Sequence, residues 1–239
     1  MKIYGVGAAE GIGIGIAKVV KEHSVEVVKR TVSDTEAEVA NFTEILELTK
    51  TETEEMSKSL ERNASAKEAE ILVGHIMLMS DPMLIDEMVN LIKNEKICAE
   101  YAIEGVCNQY AAVFASMDDE LMQQRAADMR DIKNRLIKKI LGLESNDLST
   151  LPHGSILVAK DLTPSMTAGL NPENVFGIVT EFGGKTSHSA ILARALEIPA
   201  VVGLSDLPQD IKDNTEILLD GESGEVIILP TEDEKKEYT

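Results

Sequence analysis

Tryptophan is absent from the chain, and all aromatic residues together make up 3% of its 239 positions. Any packed interior must therefore be aliphatic, with ten methionines available to fill irregular gaps. No run of about 18 apolar residues occurs, so the sequence offers no membrane-spanning helix and no membrane insertion is expected. Cysteine is nearly missing: Cys98 and Cys107 form no metal or redox motif. Histidine is sparse as well, and His23, His75, His153 and His188 are scattered without zinc-ligand spacing. Basic residues number 23 against 42 acidic ones, a net charge of −19 that argues against a nucleic-acid partner. The opening Met1-Lys2-Ile3-Tyr4 is unlike a secretion signal, so a cytoplasmic protein is expected.

What remains is enough for folding. Apolar residues make up 44% of a length that allows one large or two modest domains. The charge is uneven: residues 33–143 hold 22 acidic and 12 basic residues, and residues 144–230 hold 13 and 4. The first 32 residues carry the opposite balance, 3 acidic against 5 basic. Most acidic surface solvates the protein, and an acidic face also steers a basic partner in a salt-sensitive way.

Residues 1–30 are rich in glycine and β-branched side chains, and strands are predicted at Ile3–Val6, Ile14–Val20 and Val25–Val28. The alternation from Gly11 to Ile16 resembles a dinucleotide fingerprint but fails its spacing, so tight strand packing is the better reading. Near Ser33 the texture becomes helical. Ser33 as N-cap with Glu36 three residues on begins a helix that runs past Leu60, with Val39, Phe42, Leu46 and Thr49 on one face. After a break at residues 63–66, helical periodicity covers Lys67–Met79, then Met83–Lys93 beyond Asp81-Pro82. It continues through Ile97–Met117 and Asp119–Leu141, closed by Gly142. The block is read as a four-helix domain of antiparallel hairpins. From Glu144 short strands and helices alternate, with strands at Ser155–Ala159, Val175–Thr180, Glu216–Leu219 and Glu225–Leu229. Neither flank has strands enough for a stable sheet, so residues 1–30 must rejoin residues 144–230 around the helical insertion. A last helix starts at Thr231.

The stretch with chemical content follows the Val175–Thr180 strand: Gly183-Gly184-Lys185-Thr186-Ser187-His188-Ser189 opens a short helix over Ser189–Leu196. Two glycines permit a sharp turn, and a helix N-terminus favours an anion. A neutral imidazole is a nucleophile, and phosphohistidine would sit where its charge is best tolerated. On residues alone a satisfied loop histidine is the commoner case for His188, and Thr167 and Thr186 could be ordinary turn or cap residues. Lys185-Thr186 mimics the end of a P-loop, but Val179 stands where the first glycine is required. Ser187-His188-Ser189 lacks the Gly-x-Ser-x-Gly elbow of a hydrolase.

The string Gly-Gly-x-Thr-Ser-His-x-x-Ile-x-x-Arg, residues 183–194, resembles the phosphohistidine signature of phosphoenolpyruvate-utilising enzymes. Asp161–Ala168, Ile198–Gly203 and Arg125-Ala126-Ala127-Asp128-Met129-Arg130-Asp131 extend the likeness to the enzyme I group of the bacterial phosphoenolpyruvate–sugar phosphotransferase system, along essentially the whole chain. Lys185, where arginine is common, and Gly169-Leu170 depart from the pattern. The resemblance implies an α/β phosphohistidine (swivelling) domain, residues 1–30 plus 144–230, with an inserted all-α four-helix domain, residues 33–143. Residues 231–239 would begin a linker.

By that resemblance His188 is the phosphorylated nucleophile, Thr167 hydrogen-bonds the imidazole or phosphoryl group, and Gly184, Lys185, Thr186, Ser187 and Ser189 surround the phosphate. Arg194 reads as a surface or salt-bridge residue. The helical domain would bind the histidine-containing phosphocarrier protein, HPr, through Glu68, His75, Met77, Leu78, Leu84, Phe114 and Arg125, with Glu70 a further candidate. The apolar run Ile76–Met79 is too continuous for one buried face, so part of it should be exposed. The expected activity is phosphoryl transfer between His188 and HPr in sugar uptake. A barrel domain outside this chain would bind phosphoenolpyruvate, hold magnesium and form the homodimer. The chain itself would be a monomer without metal or cofactor. Two other readings stand beside this one: a regulatory binding module marked by histidine phosphorylation, and a phosphohistidine domain of a phosphoenolpyruvate synthase or pyruvate phosphate dikinase relative.

Overall fold

The structure is a computed structural model that describes residues 1–20, 25–63, 66–143, 148, 150–208 and 210–238. The chain divides into two compact units: Met1–Glu22, Arg62–Ser65 and Asn146–Thr239 form one, and His23–Glu61 and Ala66–Ser145 the other. The residue at which the sequence places the second boundary, Glu144, lies outside the described residues.

The first unit is built on a mixed sheet. Its strands are β1 (Lys2–Tyr4), β2 (Val6–Ala9), β3 (Ile12–Val20), β4 (Ser155–Ala159), β5 (Val175–Thr180), β6 (Ala200–Val202), β7 (Glu216–Asp220) and β8 (Glu225–Ile228). Their order is β1-β8-β7-β3-β4-β5-β6-β2. The central ladder β3-β4-β5-β6 is parallel, and the flanking pairs are antiparallel. The N-terminal strands therefore do join the C-terminal ones, and β1 and β2, at opposite ends of the ladder, are separated in sequence only by Gly5. Gly5 N–H donates to Gly224 O at 2.9 Å, and Gly221 N–H to Gly11 O at 2.9 Å, so the β7–β8 turn meets this bend.

Sheet burial explains the apolar runs. In β4, Ile156 and Val158 pack into one cluster with Ile3, Val201, Leu219 and Val226, while Leu157 and Ala159 face another with Ile178, Ala200 and Ala193. Both faces are covered, as a parallel sheet requires. The tight packing read from residues 11–16 is real: a Cβ on Gly15 would lie 2.2 Å from Gly154 O. β3 starts at Ile12, two residues before its predicted start.

The second unit holds five described helices where four are expected: α1 (Thr35–Asn63), α2 (Ala66–Met79), α3 (Pro82–Glu95), α4 (Ala99–Ala115) and α5 (Glu120–Ile140). Pro82 lacks an N–H to continue α2, and Asp81 accepts Met83 N–H at 2.9 Å to cap α3, so one turn makes two helices. Of the predicted break at residues 63–66, Asn63 and Ala66 are helical, and Ala64 and Ser65 lie outside the described residues. The N-cap of α1 is Asp34 rather than Ser33, because the Asp34 carboxylate reaches Ala37 N–H at 3.0 Å. Val25–Val28 forms no strand. Val25 and Val27 pack on the helical core instead, and among the described residues the pairing nearby is a bridge between Thr31 and Ile97.

The core is aliphatic as expected, with Phe42, Leu46, Ile92, Ile103 and Ile132 buried, and Val39 and Thr49 on the same face of α1. The methionines are split: Met79, Met88 and Met129 fill it, whereas Met77 and Met83 lie exposed. Arg30 donates through Nε to the buried Glu100 carboxylate at 3.1 Å, which holds that carboxyl below its usual range against the opposing push of burial. Among the described residues, no helix is long and apolar enough to cross a membrane.

Candidate active site

Strand β5 ends at Thr180, and residues 181–187 lead from it into α7 (His188–Ala195). Gly183 has φ of 109°, a left-handed conformation open to glycine at little cost. Ser187 N–H donates to Gly184 O at 3.0 Å, closing the turn, and Ser187 Oγ accepts Ala190 N–H at 3.4 Å as the N-cap. The helix begins one residue earlier than its predicted start. His188 is thus its first residue, where backbone N–H groups lack intrahelical acceptors and the helix dipole is positive.

The imidazole meets a residue from a separate element. Asp161, Leu162 and Thr163 carry the chain from β4 into α6 (Pro164–Thr167), which ends in Thr167, 1% exposed. Thr167 Oγ1 lies 3.1 Å from His188 Nε2, 3.2 Å from Pro164 O and 3.3 Å from Thr163 O. A hydroxyl has one proton and two lone pairs. It either donates to a carbonyl of its own turn and accepts from Nε2–H, or donates to Nε2 and leaves the ring proton on Nδ1. His188 Nδ1 is buried, so Nε2 is the ring nitrogen aimed at this hydroxyl. The two residues, 21 positions apart in sequence, thus meet within hydrogen-bond distance.

The surrounding residues divide by role. Lys185 and Thr186 are exposed on the loop and Gly184 is half-buried. Ser189 is buried with its hydroxyl donating to Asp161 Oδ1 at 3.2 Å, leaving only its backbone N–H for an anion. Asp161 Oδ1 also accepts Leu162 N–H at 2.8 Å, tying the α6 turn to α7. Dense surroundings push the Asp161 carboxyl above its usual value, while these two hydrogen bonds pull it down. Asp161 stands in the recognised sequence block, but nothing in sequence marks it as the link. Arg194 is exposed, as its surface reading expects, and its guanidinium binds backbone carbonyls: Nη1 donates to Ala8 O and Nη2 to Lys185 O, both at 2.9 Å.

In the helical unit the nominated residues separate by burial. Met77 is 68% exposed, Leu78 and Phe114 are half-buried, and Arg125 keeps 30% of its side chain exposed. His75 and Leu84 must be withdrawn as surface contacts, at 0% and 3% exposure. Leu84 belongs to the helical core, and His75 Nε2 lies 3.2 Å from Asp128 Oδ1, the carboxylate that also takes Arg125 Nη1 at 3.3 Å. The Glu68 side chain lies outside the described residues, and Glu70 is exposed. Among the described residues, no three His, Cys, Asp or Glu side chains could together hold a metal ion.

Comparison with known proteins identifies the family. The family model described as "PEP-utilising enzyme, N-terminal" matches residues 4–125, and "PEP-utilising enzyme, mobile domain" matches residues 151–224. The phosphoenolpyruvate-protein phosphotransferases of Staphylococcus carnosus (strain TM300) and Bacillus subtilis (strain 168) are each 40% identical to it over 237 residues. These matches cover 99% of this chain but only 41% and 42% of those proteins, so the chain spans about two fifths of their length. A solution structure of Enzyme I (nEIt) superposes with a TM-score of 0.84 at 40% identity, covering 99% of this chain and 96% of that one. The N-terminal domain of "Enzyme 1 - Nitrogen" gives 0.66 at 27% identity, covering 99% and 97%. Two family models in sequence order, and a solved relative matched nearly end to end, place the chain in the family of phosphoenolpyruvate-utilising enzymes, as a counterpart of the N-terminal domain of enzyme I.

Proposed function

We propose that this chain carries a phosphoryl group on Nε2 of His188 and exchanges it reversibly with a histidine of HPr, as the N-terminal part of a phosphoenolpyruvate-protein phosphotransferase in sugar uptake. The observation that carries this reading is the 3.1 Å approach of Thr167 Oγ1 to His188 Nε2 at the first residue of α7. In the forward step the Nε2 lone pair forms a bond to phosphorus, the N–P bond of the donor histidine breaks, and its electron pair returns to the donor ring. The neutral His188 tautomer with its proton on Nδ1 supplies that lone pair, and the Thr167 hydroxyl donates first to Nε2 and then to a phosphoryl oxygen. Backbone N–H groups of the Gly184–Ser189 stretch, apart from that of Ser187, which closes the turn on Gly184 O, and the dipole of α7 stabilise the transferring charge, so catalysis is mostly positioning and electrostatics.

The sheet unit is then the swivelling phosphohistidine domain and the helical unit the docking domain. Exposed Met77, with Leu78, Phe114 and Arg125, supplies contacts, and the acidic residues around them attract a basic partner. The chain acts in the cytoplasm as a monomer, and use of phosphoenolpyruvate with magnesium belongs to a further domain that also forms the homodimer. The test is to incubate the chain with phosphorylated HPr and map the acid-labile phosphate. Label confined to His188, and lost in His188→Ala with an unchanged circular-dichroism spectrum, supports the reading. Label on any other residue overturns it.

A further inference from the structure

Arg194 sits in the last turn of α7, yet its contacts lie ahead of the first. Helical side chains lean toward the N-terminus, so a long arginine on this helix reaches back along its own axis to the preceding loop. There Nη2 binds Lys185 O and Nη1 binds Ala8 O of β2, both at 2.9 Å. The two nitrogens belong to one rigid plane, so the loop is held at a fixed distance from the sheet. The carbonyl involved matters. In a trans peptide C=O and N–H point in opposite directions, so a guanidinium that fixes Lys185 O also fixes Thr186 N–H on the other side of the loop. The neighbouring Gly183, at φ 109°, and Gly184 leave this segment with little backbone stiffness of its own. If the Lys185–Thr186 peptide turned over, a carbonyl oxygen would stand where a donor stood, opposing any anion.

Resting on the phosphohistidine reading, we propose that Arg194 is a positioning residue: by holding Lys185 O against Ala8 O it keeps Thr186 N–H presented as a donor to the phosphoryl group. Arg194 touches no reacting atom. A lysine at this position has one nitrogen and no planar fork, so it cannot span both carbonyls in the same geometry. The guanidinium lies in an open groove of about 590 Å³ whose lining includes Glu10, Glu197 and Glu222. A free guanidinium ion can therefore enter a truncated site and is attracted to it.

The experiment compares wild type, Arg194→Ala and Arg194→Lys, each with and without guanidinium chloride at sub-denaturing concentration, with sodium chloride as the ionic-strength control. Phosphorylated HPr is the donor. Both variants should lose about tenfold in the saturating rate of His188 labelling, the scale of one donor to a charged oxygen, with half-saturating HPr unchanged. Guanidinium, and not sodium, should restore Arg194→Ala several-fold. The Thr186 N–H residual dipolar coupling, which reports the orientation of this peptide, should change in Arg194→Ala and return toward the wild-type value with guanidinium. Labelling at the wild-type rate in Arg194→Ala, a change in half-saturation alone, or a coupling indifferent to the substitution overturns the proposal. If wild type itself takes no phosphate on His188, the phosphohistidine reading fails, and the coupling still decides whether Arg194 sets this peptide.

Discussion

Thr167→Val isolates one atom of the site. Valine keeps the volume and branching of threonine in a position only 1% exposed, and removes the hydroxyl that lies 3.1 Å from His188 Nε2. Two effects follow with different sizes. Loss of a neutral hydrogen bond that orients the ring costs about 0.5–1.5 kcal/mol, roughly 2- to 13-fold in rate. If the hydroxyl moves onto a phosphoryl oxygen during transfer, the bond lost is charge-assisted, about 1.5–3 kcal/mol and roughly 10- to 150-fold. The mechanism above requires the larger figure. The saturating rate of His188 labelling by phosphorylated HPr should therefore fall about 10- to 100-fold, with half-saturating HPr unchanged, while Thr167→Ser stays within about threefold. Rapid quench with acid-labile phosphate counting gives the rate. The loss of the hydroxyl's bond to Pro164 O or Thr163 O should lower the melting temperature by only about 2–4 °C for each kcal/mol. A rate within twofold of wild type would show that the hydroxyl belongs to the α6 turn and takes no part in transfer.

Replacing Met77 and Leu78 together with Asp should weaken HPr binding more than tenfold, about 1.4 kcal/mol. Titration calorimetry that finds unchanged affinity in the folded double variant would move the interface elsewhere. Phosphoenolpyruvate with magnesium and no other protein should leave His188 unlabelled, and radiolabel appearing there would reveal a donor site within this chain. The pH response of the helix α8 (Glu232–Glu237) is set in part by Glu225. That carboxylate accepts the Tyr238 and Tyr4 hydroxyls and pairs with Lys2, which holds it below its ordinary 4.5. A depressed folded-state value means the contribution is complete above about 4.5 and fades as pH falls through the lower value. The amide signals of Tyr238 should therefore report detachment of α8 under acid in wild type, and Glu225→Gln should weaken the pH dependence of that detachment, leaving the share of Glu234, which the Thr231 cap also holds below its usual range.

Local chemistry carried the parts of this fold that were legible in sequence. Val175–Thr180 is the strand its apolar run indicates, and Thr231 caps α8 through the reciprocal Thr231–Glu234 pair. Both signals are complete within a few residues. His75 and Leu84 show the opposite case. The run Ile76–Met79 announces that some side chains face out, and Met77 does, but which face is covered depends on α5, about fifty residues downstream. Asp128 claims His75, and no periodicity in α2 contains that fact. Arg194 was visible as part of a motif but its partners were not, because backbone carbonyls such as Ala8 O leave no mark on side-chain identity. Val25–Val28 has strand composition and, among the described residues, no strand pairs with it.

The bend at Gly5, which makes one stretch of chain serve both ends of the strand ladder, has a consequence for synthesis. A ribosome adds about 5–20 residues per second, so roughly 7–30 s separate the emergence of β2 from that of the first strand after the insertion. The helical insertion, dominated by near-neighbour contacts, has time to fold within that interval. The N-terminal strands do not: β1 awaits β8 and β2 awaits β6, both encoded beyond the insertion. For that period an apolar, β-prone leader trails from a folded helical body, the state in which strand-to-strand aggregation between nascent chains is most favoured. The acidic character of everything translated after it, repelling other copies of the same chain, is the protection available until Glu225–Ile228 arrives to pair with β1.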